Sequence, residues 1–160
     1  MVERSPFFQV RGGSWFGNDT LWRSVLDLNR IMFYSDVEGN LRNERQRGYF
    51  CLVDGVIGGE GNGPYHTHPV SSGCVLAGRN PLSVDLVAVQ FMGFDYKKIP
   101  KILRAHQDTS LFDETGSAVK CVTNNKQWQD LISHGKACHP FLPATSWSGH
   151  IELENGLYHI

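Results

Sequence analysis

Apolar residues recur with a helical period over residues 20–34. Leu21, Val25, Leu28 and Met32 form one stripe, and Trp22, Leu26 and Phe33 widen it. This spacing predicts an amphipathic helix with that stripe against a core. Asn18 or Asp19 supplies the N-cap. Arg23, Asp27 and Arg30 share the opposite face at ion-pairing distance along a helix. Residues 35–47 are polar, contain Gly39 and read as a loop. Residues 49–57 are almost continuously apolar, predicting a strand buried on both faces. A second short strand is predicted at 73–77. Asn80-Pro81 then marks a helix start. That helix carries Leu82, Val84, Leu86, Val87, Val89 and Met92 and stops at Gly93. It is apolar nearly all round, so deep packing is expected. A further helix is predicted at 99–106, with Pro100 in its first turn, and a third strand at 118–123. Residues 124–160 are weakly patterned and read as loops with at most one short helix and one short strand.

Strands alternating with helices indicate an α/β class. The expected architecture is a three-layer or two-layer domain with a small mixed, largely buried sheet flanked by helices. One domain spans 1–160, with an irregular arm at 1–17 and a loop-rich segment at 124–160. Three strands are few for such a sheet, so strands supplied by a partner chain are an expectation.

At 160 residues and 41% apolar content the chain can bury a core. Its formal charge of -1 and the absence of a basic block argue against nucleic acid as the main partner. No apolar run approaches the ~20 residues needed to span a bilayer. No signal-peptide core is visible near Met1, and a cytoplasmic location is expected. Cys51, Cys74, Cys121 and Cys138 are widely and irregularly spaced. They read as reduced core thiols, and no iron–sulfur cluster is expected.

The densest chemistry lies in residues 54–68, DGVIGGEGNGPYHTH. Five glycines occupy nine positions, 55–63, and allow close backbone approach to a ligand. Asp54, Gly55, Glu60, Gly61, Asn62 and Gly63 are therefore candidate ligand-binding residues, with Asp19 and Asp85 nearby. Asp54 would end a buried strand, where open α/β sheets place ligands; an Asx-turn with Gly55 is the competing reading. His66 and His68 at x, x+2 in an extended segment put both rings on one face. With Glu60 or Asp54 as third ligand they form a candidate site for a divalent transition metal. Neither GxxxxGK[ST] nor GxGxxG is present, so any anion would be held by a nest of backbone amides. Asp85 lies within the apolar helix and needs a partner there; Arg79 or the loop at 60–64 is the expected one. Asp19, with Asn18, Thr20 and Trp22, stands at a helix start, where capping competes with ligand binding.

Three segments together resemble one family. They are GGSWFGNDTLWRSVLDLNRI at 12–31, LVDGVIGGEGNGP at 52–64, and VLAGRNPLSVDLVAVQFMGFDYKKIPKI at 75–102. In this order they resemble the C-terminal half of the proteins called domain of unknown function 362. The resemblance implies an α/β domain of bacterial or archaeal origin. It also implies an upstream half carrying a lysine/histidine-containing motif, so the sequence is expected to be a fragment, a truncated product or a split version whose other half a separate chain supplies. The iron–sulfur association of some family members rests on cysteine clusters that this sequence does not carry. No settled activity transfers with the resemblance.

Two functional readings follow. In the first, the protein is a small-ligand or metal-binding α/β domain, or half of an enzyme, that holds a small or anionic molecule at 54–64. In the second, it is a non-enzymatic interaction module that completes its core as a homo-oligomer or with another chain.

Overall fold

The computed structural model describes residues 13–112 and 119–154. The elements run α1 (Leu21–Tyr34), β1 (Cys51–Gly55), β2 (Gly58–Asn62), β3 (His66–Val70), β4 (Cys74–Gly78), α2 (Pro81–Phe91), a 3-10 turn (Tyr96–Lys98), α3 (Pro100–Gln107) and α4 (Lys126–Ser133). The class is α/β, as expected, but the sheet differs. The four strands form two separate antiparallel ribbons, β1–β4 and β2–β3. There is no parallel pair among the described residues, so the anticipated mixed sheet is replaced by two hairpin-like ribbons. Much of the glycine-rich stretch, expected as a loop, forms β2 and the start of a hairpin, with Glu60 opposite His68 and Asn62 opposite His66. Gly61 sits at φ +78, a conformation open to glycine and strained for other residues. Of the third predicted strand, Ala118 lies outside the described residues and 119–123 takes no regular structure.

α2 starts as the sequence requires. The Asn80 side chain accepts hydrogen bonds from Leu82 N at 2.9 Å and Ser83 N at 3.2 Å, and Pro81 fills the first turn. At α1, Asn18 takes the capping role, accepting from Thr20 N at 3.0 Å and Leu21 N at 2.9 Å.

Two clusters make the core. Phe33, Tyr34, Ala105, Leu111 and Phe112 join α1 to α3 and the residues that follow it. Val89, Phe94, Ile102 and Ile151 join α2, α3 and the C-terminal segment. Leu82 packs against both.

Several positions that the periodicity assigns to the core lie outside it. α1 turns Phe33 and Tyr34 inward, while Leu21, Leu28 and Met32 of the predicted stripe are exposed. Arg23 and Arg30 pair away from Asp27, with Asp19 and Asp108 respectively, each at 2.8 Å. β1, expected to be buried on both faces, is covered on one. Cys51, Val53 and Gly55 share a face with Cys74, Leu76 and Gly78, on the α2 side. The opposite face presents Leu52 at 66% exposure and Val75 at 57%, with Phe50 at 66% just before the strand.

Candidate functional site

The glycine-rich ribbon is held by local and long-range hydrogen bonds. Asp54 Oδ1 accepts from Val56 N at 3.1 Å, an Asx-turn that ends β1. The Gly55 carbonyl accepts from the buried Ser72 hydroxyl. Glu60 Oε2 accepts from Leu142 N at 2.8 Å, and Gly61 N donates to the Leu142 carbonyl at 2.9 Å. Asn62 makes a two-point contact with Thr145, accepting from its N–H and donating to its hydroxyl, both at 2.9 Å. Gly63 N donates to the Gly61 carbonyl at 3.1 Å. Three consecutive candidate positions, 60–62, thus form a clasp on residues 142–145.

His66 and His68 are exposed on β3 and share a face with Asn62 and Glu60, by the register of the ribbon. One Glu60 oxygen is already committed to Leu142. Among the described residues, no group of three or more His, Cys, Asp or Glu side chains is arranged to hold a metal ion.

Asp19 and Asp85 stand apart from this ribbon's clasp. Asp19 accepts from Trp22 Nε1 and from Arg23 Nη2, both at 2.8 Å. These two hydrogen bonds hold its carboxyl below the usual range. Asp85 has neither Arg79 nor the 60–64 segment as an ion-pair or hydrogen-bond partner among the described residues. It lines an apolar groove of about 440 Å³ with Trp22, Val89, Lys101 and Trp147. Asp85 remains exposed by area, yet its apolar surroundings push its carboxyl up, with Lys101 acting in the opposite direction.

A larger cleft of about 930 Å³ opens between β4, α2 and residues 119–124. Its apolar wall includes Val84, Val87, Phe91 and Trp128. Three cations line it, Arg45, Arg79 and Lys120, and no Asp or Glu among the described residues does. Sequence reasoning passed over this place because its charges come from three distant segments, none of which forms a basic run. Cys74 and Cys121 also line the cleft, and all four cysteines are free thiols, as expected. Burial pushes the Cys74 and Cys121 thiols up, and that of Cys138 to about 11, so these three are protonated at neutral pH.

No helix among the described residues is long and apolar enough to cross a membrane. No curated protein and no solved structure matches the chain. The family described as domain of unknown function (DUF362) matches residues 7–90, a span holding α1, both ribbons and nearly all of α2. That is more than half of the 160 positions, and the chain belongs to the DUF362 family.

Proposed function

We propose that the protein is an interaction module that completes its core through self-association, with the outer face of the β1–β4 ribbon as the contact. One observation carries this reading: residues whose sequence pattern marks them as core (Phe50, Leu52 and Val75) are more than half exposed. α2 covers the inner face of the same ribbon, so among the described residues the outer face is the side without a layer. Exposed apolar residues clustered on one sheet face mark interaction sites in soluble proteins. A second copy fits because a two-fold axis would set this apolar face against the same face, so that each copy covers the other. Asp54 is its one acidic member, and the chain's charge of -1 gives little repulsion between copies. Two ribbons packed face to face lie about 10 Å apart, with their side chains interdigitated.

Burying the exposed part of each of these side chains contributes about 1–2 kcal/mol, scaled from the cost of exposing a whole one. Three from each copy contribute about 6–12 kcal/mol against an association cost of roughly 4–15 kcal/mol, a surplus of at most about 8 kcal/mol. The dimer is therefore concentration-dependent, in the micromolar range or weaker. The four free thiols support a reducing, cytoplasmic setting for it.

Sedimentation velocity from low micromolar to millimolar protein tests the reading. The expected result is a monomer–dimer equilibrium that Leu52→Asp and Val75→Asp each shift to monomer without loss of helical signal. A wild-type chain that stays monomeric over the whole range overturns it.

A further inference from the structure

The cleft between β4, α2 and residues 119–124 holds a cation without a counter-charge among the described residues. Three arginines follow α1 in one loop. Arg42 pairs with Asp36, and Arg47 donates to the carbonyls of Met32 at 2.7 Å and Ser35 at 2.8 Å. Arg45 does neither. Its guanidinium lies 4.4 Å from the Phe33 ring centroid, and its Nε and Nη2 are sealed from solvent with no hydrogen-bond partner. These two atoms form one edge of the guanidinium, the edge that grips a carboxylate or phosphate with two parallel hydrogen bonds. A charged donor left buried and unpaired is costly, and native proteins rarely keep one.

The surroundings point the same way. Arg79 and Lys120 line the same cleft, both exposed and neither with an acidic partner among the described residues. The volume far exceeds that of one oxyanion and falls in the range of small-molecule sites. Val84, Val87 and Phe91 give it an apolar floor along α2.

We propose that this cleft binds a small molecule with an oxyanion head and an apolar body, Arg45 gripping the head and Arg79 and Lys120 attracting it. The head is a phosphate or a carboxylate, the shared chemistry being two oxygens in one plane. For the grip to close, the guanidinium turns its Nε–Nη2 edge from the Phe33 ring toward the cleft and exchanges a ring contact for two charge-assisted hydrogen bonds. The cleft runs along the α2 side of β4 and over its edge, where Val75 and Ala77 of the outer ribbon face also line it.

Calorimetric titration of the whole chain with phenyl phosphate, benzoate and inorganic phosphate, at ionic strength fixed with sodium chloride, tests the proposal. Saturable one-to-one binding of phenyl phosphate or benzoate is expected, and the tighter of the two assigns the head group. Inorganic phosphate, lacking the apolar body, binds more weakly. Arg45→Met weakens binding at least tenfold, Arg45→Lys restores part of it, and Arg79→Gln and Lys120→Gln each weaken it severalfold. Without ligand, Arg45→Met costs at most the ring contact with Phe33, because the charge it removes has no acidic or hydrogen-bonded partner among the described residues. Absence of saturable binding by all three probes overturns the proposal, as does equal binding by wild type and Arg45→Met. Should Arg45→Met fail to fold, unchanged binding in both Arg79→Gln and Lys120→Gln overturns it instead.

Discussion

Glu60 separates a ligand-holding acid from a clasp. Its Oε2 accepts from Leu142 N at 2.8 Å, a charge-assisted bond in a partly exposed place. Such bonds contribute about 1.5–3 kcal/mol when well shielded; partial exposure sets the expectation for Glu60→Ala near the lower end, about 1–1.5 kcal/mol. The neighbouring Gly61–Leu142 bond is backbone to backbone and survives the change, so the segment loosens without detaching. Glu60→Gln keeps an acceptor and is expected to cost about half as much, having lost only the charge assistance. For a domain of this size 1 kcal/mol moves the midpoint by about 2–4 °C, so Glu60→Ala should melt roughly 2–6 °C lower. Urea denaturation followed by tryptophan fluorescence gives the free energy, and Trp147, near the clasp, gives a local reporter. Because Asn62 holds the same segment through Thr145, Glu60→Ala and Asn62→Ala should be non-additive. A Glu60→Ala protein as stable as wild type would refute the clasp and return Glu60 to the pool of ligand-binding acids.

Two further perturbations test the packing around the groove and the cleft. Asp85 has its carboxyl raised by burial, so the folded state holds that proton more tightly than the unfolded chain, whose value is near 3.8. The stability this contributes is full below that value and lost as pH rises through the raised folded value. Asp85→Asn should therefore melt higher than wild type at pH 7, with the gap closing toward pH 3; a lower melting point at pH 7 would mean that the attraction to Lys101 outweighs burial. Gly78 faces α2 so closely that an added Cβ would stand 2.6 Å from Val84 Cγ2. Gly78→Ala should cost about 1–3 kcal/mol by overpacking, and Val84→Ala in the same chain should recover much of it; strict additivity in the urea midpoints would count against that contact.

The local punctuation of the fold was legible in the sequence. Asn80-Pro81 opens α2 and Gly93, at φ +79, follows its end, because capping and left-handed turns are decided by one or two residues. Strand pairing was not legible. Nothing in 58–62, poor in side chains and rich in glycine, carries the alternating pattern of a strand, and its ladder is defined by backbone bonds to His66–Val70. The apolar run at 50–53 was read as buried on both faces because periodicity reports what a residue prefers and not whether a neighbouring layer is there. For the candidate site, Asp54, Glu60 and Asn62 were singled out as ligand-binding residues; Asp54 makes a local turn with Val56, whereas the partners of Glu60 and Asn62, Leu142 and Thr145, lie more than eighty positions away. Arg45 was invisible for a different reason. An arginine in a polar loop looks like any solvated side chain until Arg42 and Arg47 are seen to have acceptors and Arg45 to have none among the described residues.

The separation between Glu60 and Leu142, 82 positions, also has a kinetic consequence. At ribosomal rates of roughly 5–20 residues per second, the second half of the clasp is made about 4–16 s after the first. A lone two-stranded ribbon is marginal in water, so β2 and β3 have no support of their own during that interval. Nascent chains shorter than residue 142 therefore carry the histidine-bearing ribbon unclasped.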